Sequence, residues 1–481
     1  MKNVAGIFPA VLAPLAVLPI VLLLGSRLGR KVGWVVAISF AFSFVAFATL
    51  FPEVQSRGFL EEELPWIREV GAFFGFRLDG ISLPLVLLIT LIGTLASVYS
   101  ISYMEERNLT LYFTYLILFV TGIENVILST DLMMFYLFWE FMLIPSFFLI
   151  SEWGTGKSSQ IALKYFIITH VGALFLLIGI IIIGIEAGTT EISQIRMLVQ
   201  EGAVNQETMT LSTLLMGIGF AVKMALFPVH VWLPDAHSEA PTPISVLLSG
   251  LMVKTGAYGF LRISLMVTPE TLDVISSPAL IIALVTMVYG GLMAMAQTDI
   301  KRLLAYSTIS QMGYISFGFS ERSSLGFYGS FFHMLVHGIS KSALFMAAGT
   351  LIRRTGTRNM KEMSGLGRKM PLTAIAFIVS ACSLAAIPPL GGFLSEWMIF
   401  SGGFLSGQYL LSMIAVLQSV LTIVYYLFPI ARIFLSKPER AKEIKEASIF
   451  MTLPMVVLTT LNLVLPLLLE PILAFLQTTI P

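Results

Sequence analysis

Seven ionisable side chains stand inside apolar stretches of this chain: Glu140, Lys223, Lys254, His333, His337, Lys341 and Glu396. A charge in hydrocarbon is costly, so each is a candidate functional group. Glu140 lies in LMMFYLFWEFMLIPSFFLI; a carboxylate there must be paired or protonated. The bland reading is a neutral glutamic acid bonded within a bundle; the sharper one is a proton-binding carboxylate paired with Lys223. Burial disfavours the charged form of an amine and a nearby carboxylate favours it, so Lys223 and Lys254 can load and release protons as a partner approaches or withdraws. The alternative is a lysine that snorkels to the interface. His333, His337 and Lys341 fall at i, i+4 and i+8 in FFHMLVHGISKSALF and share one helix face. That stripe is either a wet proton-exchanging lining or polar glue between packed helices. A haem or metal there would need facing ligands from another helix. Glu396, in PPLGGFLSEWMIF, would take the far end of such a relay.

A weaker set flanks these seven. His230, Asp235, His237 and Glu239 lie together in FPVHVWLPDAHSEAPTP; they either line an access route or solvate a loop. Lys164 and His170 share another apolar stretch, with Lys164 near enough to its end to snorkel. Glu124 and Glu186 are expected at helix ends near the interface, and Asp299, Lys301 and Arg302 as a loop ion-pair cluster.

Groups of this kind need a membrane to give them meaning, and the composition supplies one. The 481 residues are 57% hydrophobic and 12% charged, with mean hydropathy +0.89, against about 25% charged for a soluble protein. The fold class expected is an all-α polytopic membrane protein. A net charge of +1 gives no reason to expect nucleic acid. One cysteine, Cys382, excludes an internal disulfide and an all-cysteine iron–sulfur cluster within this chain.

A span takes about 20 apolar residues. Apolar runs predict about fourteen transmembrane helices, near 5–25, 33–51, 81–103, 110–128, 131–151, 161–186, 209–235, 241–266, 275–297, 301–319, 324–352, 371–399, 405–435 and 447–475. The first reads as a retained helix rather than a signal peptide, since no small-residue cleavage site follows it. Ser129-Thr130-Asp131 reads as a tight turn with an N-capping acid. Helices 7 and 12 are broken: Pro228 and Pro234 follow Lys223, and Pro388 and Pro389 precede Glu396. Proline removes an internal hydrogen bond, and such breaks survive in a membrane only where protein or a polar cavity covers the backbone. Two broken helices five apart point to inverted repeats. The chain then divides into N-terminal helices over 1–109, two five-helix repeats over 110–266 and 275–435, and a last helix over 436–481. With both termini outside, seventeen lysines and arginines fall in inner loops and six in outer segments, as the positive-inside rule requires.

Two apparent motifs carry nothing. Gly154-Thr155-Gly156-Lys157-Ser158 lacks the first glycine of a phosphate loop, Ser151 standing there. The sequon at Asn108 falls on the expected inner face.

Taken together, LFWEFMLIP (137–145), FAVKMALFPVHVWLPDAHSEAPTPIS (220–245), GLMVKTGAYGF (250–260), FFHMLVHGISKSALFM (331–346) and IPPLGGFLSEW (387–397) resemble the antiporter-like subunits of respiratory complex I, Mrp-type sodium/proton antiporters and membrane-bound hydrogenases. The resemblance covers roughly 80–450. It implies fourteen helices, two inverted five-helix repeats and a cation path along the membrane centre. It also implies that Glu140, Lys223, Lys254 and Glu396 are the buried acids and lysines of helices 5, 7, 8 and 12, and that His333, His337 and Lys341 are the relay of helix 11. An acid at position 396 matches the middle-type complex I subunit or the Mrp D-like type. The absence of a long lateral helix after helix 14 argues against the distal type.

Three functions compete at this level. The first is an H⁺- or Na⁺-translocating subunit of a redox-driven complex. It has no cofactor of its own; its partners are further antiporter-like membrane subunits and subunits carrying iron–sulfur clusters, flavin or nickel–iron. The second is a subunit of an Mrp-type Na⁺/H⁺ antiporter uncoupled from redox chemistry. The third, a quinone-reducing or haem-bearing subunit, is poorly served by five histidines. The localisation expected is a prokaryotic cell membrane.

Overall fold

The computed structural model describes residues 6–67, 72–105, 107–265, 269–437 and 444–479. Lys2, Arg68, Arg440 and Lys442 of the loop-charge count lie outside these residues.

The apolar runs form helices in the order expected. The N-terminal part holds α1 (Ile7–Ala16), α2 (Leu18–Leu28) and α3 (Val32–Arg57). One departure from an all-helical chain follows: an antiparallel hairpin of β1 (Phe59–Ile67) and β2 (Ala72–Asp79). Its register sets Glu61 opposite Arg77, whose Nη1 lies 3.4 Å from Glu61 Oε2. Phe76 and Leu78 alternate into the core, as a strand with one covered face requires. Short loops and few continuous apolar residues hide this hairpin from a search tuned to spans.

Then come α4 (Ser82–Tyr103), α5 (Leu109–Leu128), α6 (Leu132–Phe141), α7 (Leu143–Trp153), α8 (Ser158–Ala187) and α9 (Ile192–Gln200). The turn before α6 is capped as expected: Asp131 Oδ1 accepts from the N–H groups of Met133 and Met134 at 2.8 and 3.2 Å. That turn also ties down the hairpin, since Thr130 N–H donates to Gly75 O at 3.2 Å.

The first broken span is α10 (Gln206–Met224) and α11 (Leu233–Glu239), and the next is α12 (Thr242–Leu247) and α13 (Val253–Gly259), joined by a π-helical turn at Leu248–Met252 and followed by another at Phe260–Leu265. Pro228 lies in the break, but Pro234 does not break the helix. It sits in the first turn of α11, where its missing N–H would have had no partner anyway.

The second half holds α14 (Pro269–Met295), α15 (Ile300–Ser320), α16 (Ser324–Thr355), α17 (Pro371–Leu384), α18 (Gly391–Leu405), α19 (Tyr409–Pro429), α20 (Ile449–Val464) and α21 (Leu469–Gln477). Pro388 and Pro389 lie between α17 and α18, the second break. Each break opens on an alanine in the left-handed region, Ala225 (φ 58°) and Ala386 (φ 52°), a conformation that costs an alanine energy and marks sites held by their surroundings.

Ten helices among the described residues are long and apolar enough to cross a membrane. The other expected spans are the two broken ones, the more polar α15, and α1–α2, which run on into α3. The innermost helix is α16, where every residue from Gly329 to Leu351 is buried. Helices α14 and α15 meet at glycines: a Cβ on Gly290 would lie 2.5 Å from Ser310 N, and one on Gly313 would lie 2.7 Å from Met287 N. Small residues allow such close approach where lipid offers no hydrophobic drive.

Candidate functional site: a buried polar chain

The sequence-predicted residues fall into two groups. In the first group, Lys223 stands in the last turn of α10, just before the break at Ala225. Lys223 is 1% exposed. Its Nζ has no hydrogen-bond partner among the described residues and lies 4.9 Å from the centroid of the Trp139 ring, whose negative face attracts a cation. Glu140 does not pair with it. Glu140 Oε2 instead lies 2.9 Å from His170 Nδ1 on α8. The reason is helical geometry: neighbouring residues project about 100° apart, so α6 turns Trp139 towards Lys223 and Glu140 towards α8. Sequence reading named His170 but gave it no partner.

The second group runs from Lys254 onward, with its polar side chains closely spaced. Lys254 donates to Ser249 O at 2.9 Å, and its Nζ lies 2.8 Å from His337 Nδ1. The π-helical turn around Ser249 is what offers that carbonyl; such turns recur at functional sites. The His337 and His333 rings are 6.4 Å apart. His333 Nδ1 lies 2.8 Å from Ser395 Oγ and its Nε2 2.7 Å from Gln311 Oε1. Ser395 precedes Glu396, whose Oε2 accepts from Ser419 Oγ at 2.7 Å. Lys341 branches off, donating to Leu304 O at 3.0 Å and to Ser307 Oγ. Lys254, His333, His337, Lys341 and Glu396 are each 3% exposed or less. The two halves join where α13 lies against α10, so closely that a Cβ on Gly256 would fall 2.8 Å from Phe220 O.

The four candidates for an access route divide. Asp235 is held by Lys164 at 2.7 Å and Arg302 at 3.1 Å. Lys164 is therefore an ion-pair partner rather than a free snorkelling lysine. Glu239 lies 3.7 Å from Arg358 and accepts from Thr155 Oγ1 at 3.2 Å. His230 and His237 are buried instead. His230 stands against Tyr289 at 4.7 Å and His237 against Phe345 at 4.9 Å, and neither His237 nitrogen is hydrogen-bonded among the described residues. The expected ion-pair cluster of Asp299, Lys301 and Arg302 does not form among the described residues: Asp299 caps α15 by accepting from the backbone N–H groups of Lys301 and Arg302 and lies 3.3 Å from Arg358, while Arg302 pairs with Asp235 and the buried Lys301 ammonium donates to Ala240 O.

One feature went unread in the sequence and one was misplaced. Asp79, at the end of β2, is fully buried and pairs with Arg262, with Arg77 Nε 3.4 Å away. Arg262 Nε donates to Tyr258 OH at 3.1 Å, so the hairpin is latched to the helix that carries Lys254. Burial pushes the Asp79 carboxyl up, but Arg262, the Ser82 backbone and Arg77 outweigh it and hold it below its ordinary value. Glu124 is not interfacial: it is fully buried in α5, because β2, α4, α6, α7 and α13 all pack on that helix.

With this geometry in view, the comparisons are informative. Residues 129–422 match the family described as "NADH:quinone oxidoreductase/Mrp antiporter, TM", and residues 66–113 match "NADH-Ubiquinone oxidoreductase (complex I), chain 5 N-terminus". The chain belongs to this family. It is 32% identical over 437 residues to NAD(P)H-quinone oxidoreductase chain 4 2 of Thermosynechococcus vestitus, covering 89% of this chain and 81% of that one. It is 36% identical over 358 residues to NADH-quinone oxidoreductase subunit M of Pseudomonas aeruginosa, covering 72% and 69%. Among solved structures it resembles a chain of the Mrp complex from Dietzia (TM-score 0.89, 23% identity, 100% and 97% covered). It also resembles a chain of the archaeal membrane-bound sulfane sulfur reductase (0.87, 27%, 95% and 75%). A third likeness is to a chain of respiratory complex I from Thermus thermophilus (0.86, 24%, 98% and 100%). The expected family and its antiporter-like fold are borne out.

Proposed function

We propose that this family member is an antiporter-like subunit of a redox-driven respiratory complex of the complex I or membrane-bound hydrogenase type, and that it moves H⁺ or Na⁺ across the membrane. The observation that carries this is the buried chain Lys254–His337–His333–Ser395 beside Glu396, in which each proton-binding group touches or neighbours the next. Groups so close titrate as a set, so a charge change at one end is felt at the other. Electron transfer in a partner subunit would alter the charge at one end; the change passes through Glu140, Lys223, Lys254, His337, His333 and Glu396, with Lys341 as a side branch. Asp235 and Glu239, locked in ion pairs, anchor the access side, and the buried His230 and His237 carry protons inward. The chain contributes no cofactor; iron–sulfur, flavin or nickel–iron groups belong to its partners. We place both termini on the outer side of a prokaryotic cell membrane, and divide the helices into repeats at 110–266 and 275–435 between an N-terminal part (1–109) and a last helix (436–481).

The test is isolation from native membranes with partners attached. Co-purification with subunits bearing iron–sulfur or nickel–iron centres, and proton release driven by their turnover in vesicles, is the expected result. The second reading, an Mrp-type Na⁺/H⁺ antiporter subunit, is favoured by the full-length likeness to the Mrp chain; recovery in an assembly without any redox centre, with sodium-driven proton movement, would establish it instead.

A further inference from the structure

We infer that Glu321 is a second outward proton-binding carboxylate, standing between Glu396 and the face of the protein that carries the hairpin. Glu321 follows the last residue of α15. It is 1% exposed, whereas its neighbour Arg322 is exposed, so only a thin layer separates it from the surface. Neither carboxylate oxygen has a hydrogen-bond partner among the described residues.

Four helices bring Glu321 into line with the relay. Tyr314 on α15 and Glu321, its C-cap, are seven residues apart, as are His333 and Gly326 on α16, Glu396 and Gly403 on α18, and Ser419 and Ser412 on α19. Seven residues are nearly two turns, so each pair shares a face and is separated by about 10.5 Å along its helix. At one level stand Tyr314, His333, Glu396 and Ser419. At the next stand Glu321, Gly326, Gly403 and Ser412. The glycines leave the room that Glu321 occupies: a Cβ on Gly326 or on Gly402 would overlap Oε1, and one on Gly403 would lie 3.1 Å from Oε2 and overlap Ser412 Oγ. The hydroxyls of Ser412 and of Ser330, on α16, also have no partner among the described residues.

A structural role as the cap of α16 does not account for this. Ser323 takes that place, accepting from Gly326 N–H at 3.5 Å. No lysine or arginine pairs with Glu321 from α15, α16, α18 or α19 among the described residues. On the same faces of those helices the titratable groups are Glu396, His333 and Tyr314, about two turns inward. The glycines close on the carboxyl group itself, and the ligand we infer is a proton. In the step proposed, the Glu396 carboxylic acid loses one proton and the Glu321 carboxylate gains one. The Ser412 hydroxyl and water bridging the interval each accept one proton and release another. Glu321 then releases its proton to the hairpin face.

This inference rests on the translocation reading above. Its test uses the assembled complex in vesicles, with Lys223→Ala as control. Glu321→Gln keeps the shape of the side chain and is expected to slow proton release by roughly 10²-fold, the scale of losing a positioned proton donor, at native levels of assembly. Glu321→Asp is expected to restore most of it. Proton release within twofold of native in Glu321→Gln overturns the inference, as does equal loss in Glu321→Asp, which would show that an ionisable carboxyl at this position does not restore release. Should Glu321→Gln not assemble, Ser412→Ala decides: slowed release supports the route and unchanged release overturns it. If Lys223→Ala also pumps normally, the translocation reading fails, whatever Glu321 does.

Discussion

Lys223 stands in the last turn of its helix with its ammonium over Trp139 and no hydrogen bond among the described residues. No hydrogen-bond partner locks this lysine into one protonation state. Lys223→Ala is therefore expected to abolish translocation, and Lys223→Arg to fail as well, since arginine does not release its proton. Proton uptake in vesicles checks both, and retained pumping in the arginine variant would remove lysine deprotonation from the cycle. Glu140→Gln is expected to block the same step. The His170 contact adds a sharper expectation: His170→Gln keeps a hydrogen-bonding side chain beside Glu140 but removes the cationic form. Pumping should fall severalfold while assembly holds. Normal pumping in this variant would make His170 a spectator.

At the scale of elements, the hairpin is the part to question. It is pinned by the buried Asp79–Arg262 pair, and Arg262 continues through Tyr258 to the helix of Lys254. Removing one member of a buried pair costs about 3–5 kcal/mol. Asp79→Ala should lower the thermal stability of the assembled complex by that order, and calorimetry or a thermal-shift series measures it. A nearby acid cluster of the hairpin behaves differently. Glu61, Glu63 and Glu191 place carboxylate oxygens within 4.8 Å of one another. Burial, a hydrogen bond with Glu63 and the charges of Glu63 and Glu191 push Glu61 up to about 7, against the pull of Arg77. An acid whose value is raised on folding holds its proton in the folded state after the unfolded chain has lost it. Its contribution to stability is therefore lost as pH rises from about 4.5 to about 7. Hydrogen exchange in β1, corrected for intrinsic rates, should quicken between pH 5 and pH 8, and Glu61→Gln should abolish that difference.

The whole molecule is asymmetric about its polar chain. The group from Lys254 to Glu396 is sealed inside, around a helix buried along most of its length. The first half reaches a flank: the side chains of Glu140 and His170 are 20% and 39% exposed, among exposed Leu137, Ile144, Leu163 and Ile167. An ionisable pair facing lipid is costly, so a neighbouring subunit is expected to cover it. Diethylpyrocarbonate should modify His170 in the isolated chain and spare it in the intact complex. Equal modification in both would leave that flank open to lipid.

The sequence by itself determined that this is a membrane protein of many helices, where two of them break, and which seven ionisable groups lie in apolar surroundings. Hydropathy, proline and charge are local properties, and a charge in an apolar run is conspicuous without any fold. The access residues were legible only as a cluster, because burying His237 while pairing Asp235 and Glu239 depends on which helices meet them. Partnership was decided by tertiary structure alone. Lys254 and His337 are 83 positions apart, and α-helical phase gave Glu140 to His170 and Trp139 to Lys223. The same holds for Asp79, Glu124 and Glu321, which sit near helix or strand ends. In sequence an acid at such an end looks solvated, and only packing of distant helices over it takes the water away.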